Sequence, residues 1–248
     1  MGRFLEAVYS QGNVMKFGSA GLTFAAALVF TAAPFLTGGF SGFSPEQFEV
    51  PQDNAPIQPA GYAFSIWGLI YIWLIAGAGF GLVKRALSSD WHSARPALSI
   101  SLLMGSSWIA VAQLSVGYAT LLIWGMLFSA VVALLRSTNA DRWWLREPIG
   151  LYAGWLTAAA SVSLGLFLAG YGHLTQTSAA IAGLATALTI AIAVQKARPD
   201  VVSYPLAVIW ALVGIALSNV APLNGAALGL SVAGAGYLML KQIRPAAS

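Results

Sequence analysis

Eight apolar runs divide the chain, at roughly 17–36, 61–83, 97–116, 119–136, 147–169, 177–196, 203–220 and 222–240, and charged residues collect at and between their ends. Each run is close to the ~20 apolar residues that a helix needs to cross a ~30 Å hydrocarbon core. The gaps alternate in charge. Arg3 and Lys16 precede the first run, and Lys84, Arg85 and Arg95 follow the second. Arg136, Arg142 and Arg146 follow the fourth, Lys196 and Arg198 the sixth, Lys241 and Arg244 the eighth. The gaps 37–60, 117–118, 170–176 and 219–224 hold no Lys or Arg. An odd number of spans would mix the two kinds of gap, whereas eight keep all 12 basic residues on one side. The pattern predicts an all-α integral membrane protein of about eight transmembrane helices, with both termini cytoplasmic by the positive-inside rule.

Composition agrees. Of 248 residues 58% are hydrophobic and 8% charged, which describes a single transmembrane domain over 1–248 with no separate soluble domain. The first apolar run is too long for a signal-peptide core and reads as a retained helix. A net charge of +4 raises the question of nucleic acid. The basic residues are scattered over five short segments, however, and form no clustered face. Orientation and anionic lipid headgroups explain them, so membrane lipids are expected partners and nucleic acid is not. With no Cys, disulfides, thiolate metal sites and cysteine catalysis are excluded.

The longest polar segment, 37–60, carries Pro45, Pro51, Pro56 and Pro59, which oppose regular helix, and Phe40, Phe43 and Phe48. It also holds Glu46, Glu49 and Asp53, the acidic residues of the outer side. It reads either as a solvated connector or as a lid over a cavity mouth; its restricted backbone and spaced Phe favour the lid. Small-residue spacings at Gly150 and Gly154, at Gly225 and Gly229, and at Gly77, Gly79 and Gly81 predict close helix packing. Pro222 suits the first turn of the last helix.

No Asp, Glu, Lys or Arg lies mid-span, which argues against a proton relay. Glu147 sits at a helix start, where the macrodipole favours a carboxylate. His92 and His173 fall on opposite sides and cannot jointly hold a haem. Gly229-Leu230-Ser231-Val232-Ala233 is no nucleophile elbow, since it falls mid-helix without a His or Asp partner. No catalytic or metal-binding set can be assembled, and the chain is not expected to be an enzyme. What remains is aromatic: nine Trp, eight Tyr and twelve Phe. Trp91, Trp143 and Trp144 fall at boundaries, where headgroup anchoring accounts for them. Trp67, Trp73, Trp108, Trp124, Trp155 and Trp210 fall within spans, with Gln113, Ser65, Ser161, Ser163 and Asn219 at comparable depth. Such rings either pack as ordinary helix contacts or wall a pocket for a flat lipophilic ligand.

The stretch Pro59-Ala60-Gly61-Tyr62-Ala63-Phe64-Ser65-Ile66-Trp67-Gly68-Leu69-Ile70-Tyr71 resembles the second-helix signature of the translocator protein, or tryptophan-rich sensory protein (TspO/MBR), family. Glu147-Pro148-Ile149-Gly150-Leu151-Tyr152-Ala153-Gly154-Trp155 resembles that family's fifth helix. The resemblance covers about 17–169, with 177–240 as additional helices of a long variety. It implies that the first five spans form a TspO-like bundle binding porphyrins, sterols or other lipophilic molecules, usually as a homodimer. Carried over, Tyr62, Phe64, Trp67, Tyr71, Tyr152 and Trp155 line the pocket, with Gln113 matching a family Gln and Ser163 standing where the family has Asn. The double proline is Pro59-Ala60 here. The function this implies is a membrane ligand-binding protein (sensor, carrier or regulator) for a porphyrin or other tetrapyrrole, in the bacterial inner membrane. The alternatives are an accessory subunit of a larger pigment or respiratory complex and a small-solute transporter.

Overall fold

A computed structural model of the chain describes residues 2–243, with side chains from residue 12 onward. The helices are α1 (Gly2–Thr37), α2 (Ile66–Arg85), α3 (Ser89–His92), α4 (Arg95–Leu114) and α5 (Val116–Arg136). After them come α6 (Arg146–Gly170), α7 (Gln176–Ala197), α8 (Ser203–Ser218) and α9 (Gly225–Ile243). There is no strand among the described residues. Seven helices are long and apolar enough to cross a membrane. The eighth, α8, is apolar but has 16 residues, a length of about 24 Å at 1.5 Å per residue. The chain is thus an all-helical, multi-pass membrane protein whose helices follow the apolar runs to within about five residues, except that α1 begins at Gly2, well before its run at 17. The four-residue α3 is too short to leave a periodic signal.

Polar caps set several boundaries. Ser115 and Thr175 accept backbone N–H groups at the starts of α5 and α7. Pro222 is not in the first turn of α9. Asn224 caps that helix, its Oδ1 accepting from Ala227 N at 3.1 Å, so α9 starts at Gly225 and Pro222 stays in the preceding turn.

The helices α1, α2, α6, α5 and α4 close a ring by neighbour packing, and α7 and α8 cover the other side of α6, with α9 against both. Surrounded in this way, α6 is the central post and almost all of its residues are buried. Glycine opens the tightest approaches. A Cβ at Gly154 would overlap the Tyr204 carbonyl, one at Gly150 would meet Ser203 and Val201, and one at Gly77 would meet the Trp144 carbonyl. Gly81 makes room for the Trp91 ring, and Gly79 lies against Phe24. Gly225 and Gly229 have open space instead, so that spacing marks no packed interface.

Because successive spanning helices alternate in direction, the described basic side chains share one end of the bundle, here the basic end. Arg244 and the Arg3 side chain lie outside the described residues. Cross-links stitch the basic end: Arg85 to Asp141, Arg142 to Glu147, and Arg146 and Arg198 to Asp200. Arg95, 2% exposed, donates to the carbonyls of Gly81, Arg85 and Ala86, which lets α4 begin with a buried cation.

Candidate functional site

Phe64, in the 3-10 turn Gly61–Ser65 that leads into α2, and Trp67 and Tyr71, one turn apart on α2, face inward together. Trp155, Ala159, Val162, Ser163 and Leu166 do the same on α6. The space between these faces, walled on its other sides by α1, α4 and α5, is a chamber of two adjoining lobes. The larger, ≈ 240 Å³, is bounded by Phe30, Tyr71, Gly105 and Met126 among others. The smaller, ≈ 50 Å³, is bounded by Phe43, Gln58, Trp155 and Ser163 among others. Phe40, Phe64, Trp67, Trp108 and Ile123 belong to both and form the partition.

The rings meet mostly edge to face, which suits their quadrupoles. Phe30 is 5.9 Å from Trp67 and 5.2 Å from Tyr71, both near perpendicular. Trp67 and Tyr71 stack at 5.4 Å. Trp155 stands edge-on to Trp67 at 6.1 Å and to Phe64 at 6.0 Å. Phe40 reaches down to Trp108, at 4.7 Å. A glycine at position 105 gives the Phe30 ring its place.

Polar groups near the chamber are mostly satisfied by the protein. Trp108 Nε1 donates to Ala119 O at 2.9 Å. Ser163 Oγ and Thr120 Oγ1 share a hydrogen bond of 2.7 Å. Trp155 Nε1 is buried and has no acceptor.

Residues 38–60 cross the far end of the bundle above this chamber as a strap. Gln47 Nε2 donates to Ala112 O, and Val50 N donates to Gly170 O. Asn219 Nδ2 donates to Pro56 O, Ser218 Oγ to Gln58 O, and Ala60 N to Gly214 O. Ile57, 2% exposed, fits against Gly165 and Gly183 between α6 and α7. The second half of the strap is thereby fixed to α6, α7 and α8. The first half carries Gly38, Gly39 and Gly42 at positive φ, a conformation glycine adopts without strain, and brings Phe40 and Phe43 onto the chamber.

A family model described as TSPO-like protein matches residues 20–240. The chain belongs to the TSPO-like family. No curated protein and no solved structure matches it. Membership goes with a membrane protein of the ligand-binding or sensor type. The match runs through α7, α8 and α9, so the C-terminal helices fall within the family's extent and are not outside it.

Of the residues expected at the site of this TSPO-like protein, Phe64, Trp67, Tyr71, Trp155 and Ser163 line the chamber. Three do not. Tyr62 lies in the 3-10 turn Gly61–Ser65, is 43% exposed, and packs edge-on against Trp210 at 5.4 Å on the outer surface. Gln113 is exposed near the last turn of α4, where its Nε2 donates to Thr37 O at 2.7 Å. Tyr152 is fully buried behind Phe30, and its hydroxyl shares a 3.0 Å hydrogen bond with Ser101. The sequence reading missed Phe30, Gln58, Ile123 and Met126. Phe40 and Phe43, which the sequence suggests as parts of a lid, and Trp108, one of the spanning rings that could either pack or wall a pocket, border the chamber although the sequence does not single them out as site residues. Only their convergence in space joins them to it.

Proposed function

We propose that this TSPO-like protein binds a flat lipophilic molecule, a tetrapyrrole being the leading candidate, in the aromatic chamber, and acts as a sensor, carrier or regulator without catalysing a reaction. The proposal places it in the bacterial inner membrane with the basic end in the cytoplasm. One observation carries the reading: aromatic rings from α1, α2, α4, α6 and the strap converge on a chamber whose lining contains no charged side chain. Ordinary helix packing would close such a space; here ring faces and edges remain presented to it. The two lobes are small beside the roughly 300–1,000 Å³ of drug-sized ligand sites. A tetrapyrrole therefore requires the partition to open. Phe40 is the part of it borne by the glycine-rich half of the strap, so its withdrawal would join the lobes and unroof them together.

The test is a titration of the purified protein in mild detergent with protoporphyrin IX, followed by tryptophan quenching and by the porphyrin absorbance band. Saturable micromolar binding, weakened about tenfold or more by Trp67→Leu, is expected if a pocket that size loses a main wall. Linear, unsaturable quenching identical in both proteins would mean partition into detergent and would overturn the tetrapyrrole reading.

A further inference from the structure

On α2, Trp67 and Tyr71 face the chamber, while Leu69 and Trp73, on the opposite side of the helix, border a second hollow. The helix α8 packs against the Gly61–Ser65 turn at the head of α2, and toward the basic end the two helices stand apart with α6 between them. The groove so formed is ≈ 530 Å³, larger than either lobe of the chamber, and shares no lining residue with them. Leu69 and Trp73 form one rim, Leu206 and Trp210 the other, and Leu151 and Glu147 of α6 the floor. The polar groups of rims and floor are answered within the protein. Trp73 Nε1 donates to Trp143 O and Trp210 Nε1 to Ala63 O, and the Glu147 carboxylate receives Arg142 Nε and Ser203 N. An occupant of the groove therefore meets hydrocarbon. Its basic end is different. There the groove stops at the Trp143 ring, stacked on Trp73 at 6.4 Å, and the Arg142 guanidinium lies over that ring, 5.0 Å from its centre. Arg142 spends only its Nε, on Glu147 at 2.7 Å; its two Nη groups make no hydrogen bond among the described residues, and the side chain is 37% exposed.

We infer that this groove holds one anionic phospholipid, its phosphate on the Arg142 Nη groups and the first stretch of an acyl chain lying between α2 and α8. The site is separate from the chamber and stands whether or not the chamber takes a ligand. An arginine fork with two donors left over matches the oxygens of a phosphate, and Arg142 sits at the end of the bundle where the headgroups of an anionic leaflet lie. Lys84, exposed on the same face of α2 as Trp73 and about three turns nearer the basic end, adds to the positive field there. A zwitterionic headgroup brings its own cation to the phosphate and competes with Arg142, so the anionic class is preferred. From Ser65 to Trp73 the groove runs about 12 Å along α2, which takes part of a chain and leaves the rest in the bilayer. A second copy of the protein fits less well. Helices approach closely where their residues are small, whereas both rims here end in leucine and indole, which keep another helix out and admit a thin chain.

Native mass spectrometry tests this on the purified protein in mild detergent, offered phosphatidylglycerol and phosphatidylcholine of equal chain length at equal concentration. The wild type should retain one phospholipid after loosely held lipid and detergent are stripped. Phosphatidylglycerol should be favoured about fivefold, the effect of one basic side chain near a headgroup. Arg142→Gln should remove that preference. Leu206→Trp fills the groove from its exposed rim and should abolish the retained lipid whichever headgroup is offered. That second arm leaves Arg142 and Glu147 in place, so it decides the matter even if Arg142→Gln folds poorly. A spread of adducts with no favoured stoichiometry, or equal retention of the two lipids by the wild type, would overturn the inference. So would a preference that survives Arg142→Gln, or a lipid held by Leu206→Trp as tightly as by the wild type. Wild-type dimers that Leu206→Trp splits would overturn it too, because a second copy would then occupy the groove. The porphyrin titration reads a different cavity and is decided independently of all these outcomes.

Discussion

Replacing Gly154 by alanine adds one methyl group to the most enclosed helix of the bundle, and the structure says where it goes. Its Cβ would overlap the carbonyl oxygen of Tyr204 and stand 3.0 Å from the Ala207 Cβ, so the obstacle is the backbone of α8 and cannot be swung aside. The helices α6 and α8 must separate, and within about two turns of the contact they share three hydrogen bonds. Thr157 bonds Tyr204 at 2.9 Å, Ser203 Oγ donates to Glu147 O at 2.7 Å, and Ser203 N donates to Glu147 Oε2 at 2.9 Å. Overpacking a close-packed site costs about 1–3 kcal/mol. Interhelical hydrogen bonds in membrane proteins contribute about 0.6 kcal/mol each, so straining the three adds roughly 1–2 kcal/mol. Alanine returns about 1 kcal/mol through its better helix propensity. The net destabilisation is about 1–4 kcal/mol, a fall in Tm of about 2–16 °C for a chain of this size. Gly229→Ala is the matched control. It has the same small-residue spacing in sequence but open space around it, so propensity alone acts and Tm should hold or rise by a few degrees. Thermal unfolding of both variants in the same detergent, followed by tryptophan emission, compares them. A Gly154→Ala protein as stable as wild type would refute the packing assigned to α6 and α8.

Three further outcomes are expected. Glu147 is wholly buried and receives Arg142 Nε at 2.7 Å and Ser203 N at 2.9 Å on its two oxygens. Glu147→Gln must present its NH₂ to one of those donors and should lower stability by about 1–3 kcal/mol in the same thermal assay; an unchanged Tm would count against the joint. The Asp141 carboxyl is held below the usual carboxylate range chiefly by the hydrogen bond from Arg85, against a cost of burial and with help from Trp91. Its folded form binds the proton less tightly than the unfolded chain, so this link stabilises above the ordinary carboxylate value of about pH 4 and disappears as pH falls through the lowered value. The Tm gap between wild type and Asp141→Asn should therefore close on going from about pH 7 to about pH 3, and a gap constant over that range would exclude the link. A side chain at Gly170 would collide with the buried Phe48 ring. Gly170→Val should then loosen the strap and speed proteolytic cleavage within 38–60, and cleavage at the wild-type rate would show that Phe48 does not hold it.

The reason some of the site could be read in the sequence and some could not is geometrical. Hydropathy and the alternation of Lys and Arg are properties of position along one dimension, and a membrane imposes its order along that same dimension, so the spans are legible. Trp67 and Tyr71 are legible too, because helical spacing puts them on one face of α2 and one helix suffices to align them, whereas Phe64 is carried inward by the 3-10 turn before it. Tyr62 fails that logic because the helix has not yet begun: the 3-10 turn Gly61–Ser65 rotates it outward onto Trp210. Gln113 and Tyr152 fail in depth. Gln113 lies one residue from the end of α4, above the chamber, and Tyr152 lies one helical turn toward the basic end from Trp155, where Ser101 takes its hydroxyl. Gly154 and Gly229 are alike in spacing and differ only in what abuts them. The same holds, with more consequence, for the indoles. A tryptophan in an apolar helix always brings a donor, but whether the fold answers it depends on which carbonyl a neighbouring helix happens to turn toward it. Trp108 is answered by Ala119 just beyond the α4–α5 turn, and Trp155 by nothing.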